Sequence, residues 1–468
     1  MKLSLKSPRH PVPAFVRKAQ NVWISGLSGL IILVLIVFSV WSSKPINIYF
    51  SYFFEDTSFR NALYQTASEY GFDLYHKGLS YKEVVLKIPE RLWRSVDTPS
   101  LVIDIKFKNM QKIIQKRRQA LDEGLLRQSD DDFVPASIRY KDRTVKVQMR
   151  LKGDLPDHLE GDKWSFRIHT KSDDQLFGMR RFSIQHPRVR GYQGEILYFE
   201  TLKRIGVLTP RYFFVQVTIN GRDIGLMAVE EHFSKELLEH QDRRESVIVR
   251  FDESLVWAAK DGAFAGIAGG TFDNYKNARI DAFQDTKIQT SEMLKQHYRL
   301  AVGLLRAGVG ETLPISEVFD AEQLGRFLGV THFWGAWHAL KWHNLRYYFN
   351  PLTMHLEPIA FNGELQMRSN PSQFAGDEFI QRMLSDDQVR ASYIKTFQTL
   401  NAGIQDGSLI AHLKSIEQSH LYILQSEFVF LEPFDENELR ARADRVVAHL
   451  DRLLNEEQTP PPLYVDPS

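Results

Sequence analysis

The 468 residues include no cysteine, which excludes disulfides, thiolate nucleophiles and Cys-ligated zinc or iron–sulfur sites together. Neither charge is in excess: 59 Lys plus Arg against 58 Asp plus Glu leave a formal net charge of +1, so the bulk basicity of a nucleic-acid-binding protein is missing and no nucleic-acid partner is expected. No stretch repeats at a period of about 20 to 50 residues, which excludes solenoids and propellers. There is no G-x-S-x-G nucleophile elbow. The acidic triplet at 130–132 lacks the glycine and distal glutamate of an EF-hand loop and reads as a solvated turn. The glycine-rich stretch 265–270 lacks the Gly-Lys-Ser/Thr ending of a phosphate loop and reads as a flexible loop. His332, His338 and His343 do not have the i, i+4 spacing of a helical zinc pair.

What is present is the make-up of a folded protein: 43% hydrophobic, 12% aromatic and 25% charged residues. At about 150 residues per domain the length predicts about three units. The charge is unevenly placed. Residues 1–20 hold Lys2, Lys6, Arg9, Arg17 and Lys18 and no acid, so this tail is +5 and the remainder is 1 − 5 = −4. Directly after it, 22–43 runs for 22 residues without a charge, with Trp23 and Trp41 near its ends. As a helix that run spans roughly 33 Å, enough for a hydrocarbon core of about 30 Å. It is longer than the roughly 7 to 15 apolar residues of a signal peptide, and no A-x-A-like site follows. The expectation is a cytoplasmic tail over 1–20, one uncleaved transmembrane anchor over 21–43, and an extracytoplasmic main domain on a single-pass cell-membrane protein. Ser25 and Gly29 form one small-xxx-small pair, so the oligomeric state stays open.

Beyond the anchor, 44–98 reads as a membrane-proximal segment. Residues 101–107 alternate as a strand, and a helix follows with a stop near Gly124. ASIRY, KVQMRLKG and KWSFRIHTK continue a strand series, and a helix is predicted over 194–205, ended by Gly206. Asn220-Gly221 between alternating apolar runs predicts a hairpin. Helices are then predicted over 288–310 and 320–341, the latter with Asp320 and Gln323 at capping-box spacing. A second hairpin is predicted from HNLRYYF to MHLEPIAF, followed by helices over 376–430 and 435–454 and a disordered Pro-rich tail over 457–468. The architecture expected is α+β: a strand-rich part over 99–255 and a helix-rich part over 256–456, with a cleft between them. The turn 154–162 concentrates Asp154, Asp157, His158, Glu160 and Asp162, a set that could grip a cation or a sugar hydroxyl or stand as a solvated loop.

Four stretches together resemble one family, the spore-coat protein H (CotH) kinases: MRLKGD at 149–154, KWSFRI at 163–168, GVLTPRYFFVQVTINGRDIGLMAVEEHFSKELL at 206–238 and HNLRYYFNPLTMHLEPIAFN at 343–362. They stand in the family's order and cover about 100–365. The resemblance implies a protein-kinase-like bilobal fold, a strand-rich N-lobe and a helix-rich C-lobe, with ATP and Mg²⁺ as cofactors. It implies phosphoryl transfer to an envelope or surface protein, or to a cell-envelope glycan. Either Arg167 or Lys163 fills the place of the phosphate-facing lysine, with Lys152 in the neighbouring turn, and exposed strand cations are the alternative. Glu231 stands at the family's glutamate after the hairpin and would orient that cation. Asn344 and Asn362 would hold the metal.

Two departures bear on activity. Ala339 stands where the family has an aspartate base, and Asn362 replaces a metal-binding aspartate. Both losses strike at nucleophile positioning and charge neutralisation, which are most of what a kinase supplies. His338 and His343 flank the gap and could act as general bases, with Glu357 and Glu364 as neighbouring carboxylates. Alternatively, the two histidines pack with Trp337 and Trp342. The rival expectation is a pseudokinase-like, non-catalytic binding or assembly protein of the cell envelope or surface polysaccharide.

Overall fold

Along SLVIDI, every second residue is apolar and buried, and this makes the first strand, β1 (Ser100–Ile105). The computed structural model describes residues 91, 96–260, 274–371, 378–429 and 431–458. Arg91 and residues 425–429 belong to a small unit of their own, in which Arg91 donates to the carbonyl of Val429. The rest of the described chain forms the unit considered below.

After β1 come α1 (Phe107–Glu123), β2 (Val134–Tyr140), β3 (Arg143–Leu151), β4 (Phe166–Thr170), β5 (Arg181–Gln185), α2 (Gly194–Arg204), β6 (Tyr212–Ile219) and β7 (Arg222–Glu231). The seven strands close into a barrel in the order β1-β2-β3-β4-β5-β7-β6. The pairings are antiparallel except the last, where β1 runs parallel to β6. Ile103, Ile138, Val147, Met149, Ile168, Phe182, Val217, Met227 and Val229 fill the interior, and α1 buries Ile113 and Ala120 against the same core. Asn220 and Gly221, with φ of 51° and 80°, make the tight β6–β7 turn that needs two left-handed residues. Asn220 does more than turn the chain: its Oδ1 accepts from the Ile105 amide at 2.7 Å and its own amide donates to Ile103 at 2.9 Å, pinning β1 to the turn.

The second sheet has the order β11-β10-β8-β9, built from β8 (Ile248–Phe251), β9 (Ile280–Ala282), β10 (Arg346–Asn350) and β11 (His355–Ile359), all antiparallel. Helices α3 (Glu292–Val309) and α4 (Ala321–Trp334) pack on β11. The Asp320 carboxylate accepts from the Gln323 amide at 2.9 Å to cap α4. Then α5 (Asp387–Gln405), α6 (Ser408–Leu424) and α7 (Glu436–Gln458) complete the unit. Helix α5 lies so close to α4 that a Cβ on Gly325 would stand 2.5 Å from Ser392. Arg442 of α7, wholly buried, donates to the carbonyls of His332 at 2.7 Å and Phe333 at 3.0 Å, the negative, C-terminal end of the α4 dipole.

This architecture corrects four expectations. The chain does not form a protein-kinase-like bilobal fold: β1 pairs on both edges, so the strand-rich part shuts into a seven-stranded barrel, and β8 joins β10 in a separate sheet. The strand expected from Lys163 begins at Phe166, and the helix expected to 341 ends at Trp334, where Gly335 turns left-handed at φ 62°. The membrane-anchored placement, with its cytoplasmic tail and extracytoplasmic domain, is also corrected. Among the described residues no helix is long and apolar enough to cross a membrane, and the run at 21–43 that suggested one lies outside them, as do the segment 44–90, the glycine-rich stretch 265–270 and most of the Pro-rich tail.

Candidate functional site

Period two places Val147, Met149 and Leu151 of β3 and Phe166 and Ile168 of β4 in the barrel core, so Arg150 and Arg167 point to its outer face. Register then builds a polar row. Arg150 lies opposite Arg167, Arg167 opposite Ser183, Ser183 opposite Glu230, and Glu230 opposite Tyr212.

Two residues beyond Arg150, and so on the same face, Lys152 Nζ stands 2.6 Å from Glu230 Oε1 and 2.7 Å from Gln185 Oε1. Gln185 Nε2 and Arg190 Nε donate to Glu230 Oε2 at 3.0 and 2.9 Å. All four side chains are buried. Burial pushes the Glu230 carboxyl up, but Lys152 and Arg190 outweigh it and hold Glu230 well below the usual carboxylate range. Burial draws the Lys152 ammonium down and Glu230 opposes that.

The second sheet carries a matching feature. Arg250 of β8 lies directly opposite Arg346 of β10, and both guanidinium groups rest on the ring of Phe283, at 5.1 and 5.6 Å from its centroid. Arg346 is only 4% exposed. It donates to the carbonyls of His343 at 2.7 Å and Leu345 at 3.0 Å. Burial first, then the charges of Arg250 and Arg167, draw Arg346 down to about 9, Glu253 and Glu230 opposing. Burial, then Arg150 and Arg250, draw Arg167 down to about 10, Glu230 and Asp154 opposing. The two arginine pairs, one on each sheet, therefore stand within electrostatic reach of each other. Arg167 also contacts His232 Nδ1. The buried Nε atoms of Arg150, Arg167 and Arg346 and the Ser183 hydroxyl have no hydrogen-bond partner among the described residues.

Next to this row, Glu195 of α2 is 1% exposed. Its Oε2 accepts from the Gly363 amide at 3.0 Å, and its Oε1 has no partner among the described residues. Burial pushes this carboxyl up to about 7, against the pull of Arg190. Asn362 and Glu364, on either side of Gly363, both hold left-handed φ, 54° and 46°, a local cost that concentrates at functional loops. A Cβ on Gly363 would sit 2.7 Å from the Tyr198 ring.

The sequence-predicted residues divide accordingly. Lys152 and Arg167 stand on the polar face, and Asn362, buried with its Oδ1 unpartnered among the described residues, stands at the adjoining loop. Glu231, expected to orient the cation, instead accepts from Arg211 Nε and its amide, both at 3.0 Å, because its neighbour Glu230 has the parity that faces Lys152. Lys163 is spent on the carbonyls of Ile224 and Leu226. Asn344 is buried and its Nδ2 donates to the His338 carbonyl at 2.8 Å. His338 is drawn down by burial although Glu364 lies 3.3 Å away, His343 stacks edge-on against Trp342, and Glu357 is taken by Arg243 at 2.8 Å. In the acidic turn, Asp162 pairs with Arg222 at 2.8 Å and Asp154 accepts from Gln128 at 2.7 Å, so those acids have separate partners.

Magnesium favours carboxylate and water oxygens in octahedral array. Asn344 and Asn362 are neutral, the Nδ2 of Asn344 is engaged on a carbonyl, and among the described residues no group of three or more His, Asp or Glu could hold a metal. This donor set does not fit a resident Mg²⁺. Arg150, Gln185, Arg190, Glu195, Glu230, Arg250 and Arg346 were not legible as site residues, although parity along β7 would have separated Glu230 from Glu231. No family model matches the chain, and no curated protein matches it.

Proposed function

We propose that the chain is a binding protein for an anionic, phosphate-bearing ligand, held where the outer face of the barrel meets the second sheet, and that it does not transfer the phosphoryl group. The observation that carries this reading is the pair of like-charge cross-strand contacts, Arg150 with Arg167 and Arg250 with Arg346. Like charges directly opposite on neighbouring strands are destabilising, and each buried polar atom left unpaired costs about 1–3 kcal/mol. An oxyanion between them reverses both costs, and the guanidinium fork matches phosphate geometry. The motif likeness to the spore-coat protein H kinases supports phosphate as the anion. ATP with Mg²⁺ is one ligand of this class, the metal arriving on the phosphates.

Transfer needs a base at the acceptor hydroxyl and metal-borne charge at the phosphoryl group. Ala339, 1% exposed, supplies no base, and Asn362 supplies no carboxylate. The test is a thermal-shift series on the full chain with ATP, with and without Mg²⁺, at matched ionic strength, followed by an assay for ADP. A rise in melting temperature without ADP formation is expected. An unchanged melting temperature at millimolar ATP and phosphate overturns the binding reading, and turnover overturns its non-catalytic clause.

A further inference from the structure

Resting on that reading, we infer that the ligand is a phosphorylated polyol or sugar, its phosphoryl group taken by Arg167 and Arg346 and its hydroxyl groups by Glu195 and Asn362. Net charge does not choose among phosphate ligands here. The acidic groups around the two arginine pairs match the basic ones in number, and Asp154 acts on Arg167 and Glu253 on Arg346 directly. The choice falls to the unpartnered hydrogen-bonding atoms. Buried polar atoms in folded proteins are nearly all hydrogen-bonded, and each one that is not calls for an account.

Two kinds of such atom occur, opposite in character. The Nε–H groups of Arg167 and Arg346 can only donate. Glu195 Oε1 and Asn362 Oδ1, likewise without a partner among the described residues, are a carboxyl oxygen and an amide oxygen, and they call for a donor. A bare phosphoryl group offers acceptors to the first set and leaves the second unanswered. A hydroxyl both donates and accepts, so it satisfies Oε1 whether or not that oxygen carries the carboxyl proton. An ammonium only donates, and it would add positive charge to a carboxyl that already faces Arg190.

Both sets lie around Glu230, which acts electrostatically on Arg167, Arg346 and Glu195 alike. The Phe361 ring ties them together a second time: Arg190 and Arg346 stand 5.2 and 5.0 Å from its centroid, and Asn362 follows it in the chain. Glu195 Oε2 is fastened to the amide of the next residue, Gly363, at 3.0 Å, which keeps Oε1 beside the stretch that carries Asn362. The Ser183 hydroxyl lies across from Arg167 on one side and Glu230 on the other and is unpartnered among the described residues; it adds a group that can donate or accept. Arg167, Phe283 and Phe361 keep part of their surface exposed and give the ligand its approach.

The experiment is a thermal-shift and calorimetric titration of the full chain, at matched ionic strength, with glycerol 1-phosphate, glucose 6-phosphate and propyl phosphate. Propyl phosphate has the carbon chain and phosphoryl group of glycerol 1-phosphate without its hydroxyls. A site built to hydrogen-bond a hydroxyl discriminates against the analogue that lacks it, so the better of the two polyol phosphates should bind at least about tenfold more tightly than propyl phosphate. A lead for glycerol 1-phosphate marks an open-chain polyol and a lead for glucose 6-phosphate a ring sugar; the inference stands in both cases.

The ratio of polyol phosphate to propyl phosphate affinity is then read in variants, since a change that merely weakens phosphate binding lowers both affinities together. Asn362 holds a left-handed φ of 54°, so Asn362→Gly removes the acceptor without backbone strain and should bring the ratio towards one. Asn362→Asp keeps an acceptor oxygen and should preserve it, as should the control Arg326→Met, at a surface pair with Glu322. Propyl phosphate binding as tightly as both polyol phosphates, or a ratio that survives Asn362→Gly, overturns the polyol inference while leaving anion binding in place. Failure of all three phosphates and of ATP overturns the proposed function itself.

Discussion

Glu230 answers two buried cations with a single carboxylate, so its removal strands both. Glu230→Gln should cost about 3–5 kcal/mol in urea unfolding at pH 7, the range for a buried pair broken on one side; a loss below about 1 kcal/mol would show that Lys152 and Arg190 find other partners. Its folded pKa lies below the ordinary 4.5, so its contribution is complete above about pH 4.5 and drains away as pH falls further. Glu195 has the opposite sign. With a folded pKa of about 7 against 4.5, the folded state holds the proton more tightly, and stability falls as pH rises from about 4.5 to about 7. Glu195→Gln keeps an acceptor for Gly363 and should stabilise the protein by up to ~3 kcal/mol at pH 8, at about 1.36 kcal/mol per pKa unit, and little at pH 4.5; a melting temperature that falls equally at both would mean the carboxylate is needed ionised. At this scale motif and spacing singled out Lys152 and Arg167, and the structure places both on the polar outer face of the barrel. It could not reveal that Arg150 faces Arg167 or that Arg250 faces Arg346, because register across distant strands is a tertiary property.

Elements whose signals are local were the legible ones. The Asn220-Gly221 turn, the helix from Gly194, the Asp320 cap and the hairpin of β10 and β11 all follow from neighbours a few residues apart. What the pattern missed was where elements stop and what they join: Gly335 ends α4 early in its left-handed conformation, and the pairing of β8 with β10 brings residues 248–250 to 346–348. Asn220 shows a local signal with a distant effect, because its side chain also fastens β1. Asn220→Ala should therefore cost more than a turn substitution alone, about 2 kcal/mol from the left-handed strain and the lost bond to the Ile105 amide. Hydrogen exchange would localise the damage to residues 101–105, and an effect confined to 219–222 would argue against the fastening.

Across the whole molecule, binding and stability are set against each other at one place. Arg346→Met removes a like-charge contact and an unpartnered buried nitrogen, so in the absence of ligand it should leave the protein as stable as before or better by about 1 kcal/mol, as buried ionic groups replaced by apolar ones often do. Calorimetric melting in phosphate-free buffer checks this, and a loss of 2 kcal/mol or more would assign Arg346 a purely architectural role through its bonds to His343 and Leu345. The bilobal expectation failed for a reason of the same reach, since whether a sheet stays open depends on the partner of its first strand. That partner is late. The seam sets Ser100 against Gln216, so a ribosome must add more than a hundred residues after β1 before it can be sealed, on the order of ten seconds at typical elongation rates. During that interval one flank of β1 is an open template for any passing strand, and nascent chains halted before residue 212 should be captured by chaperones and lost to aggregation far more than those halted after 231.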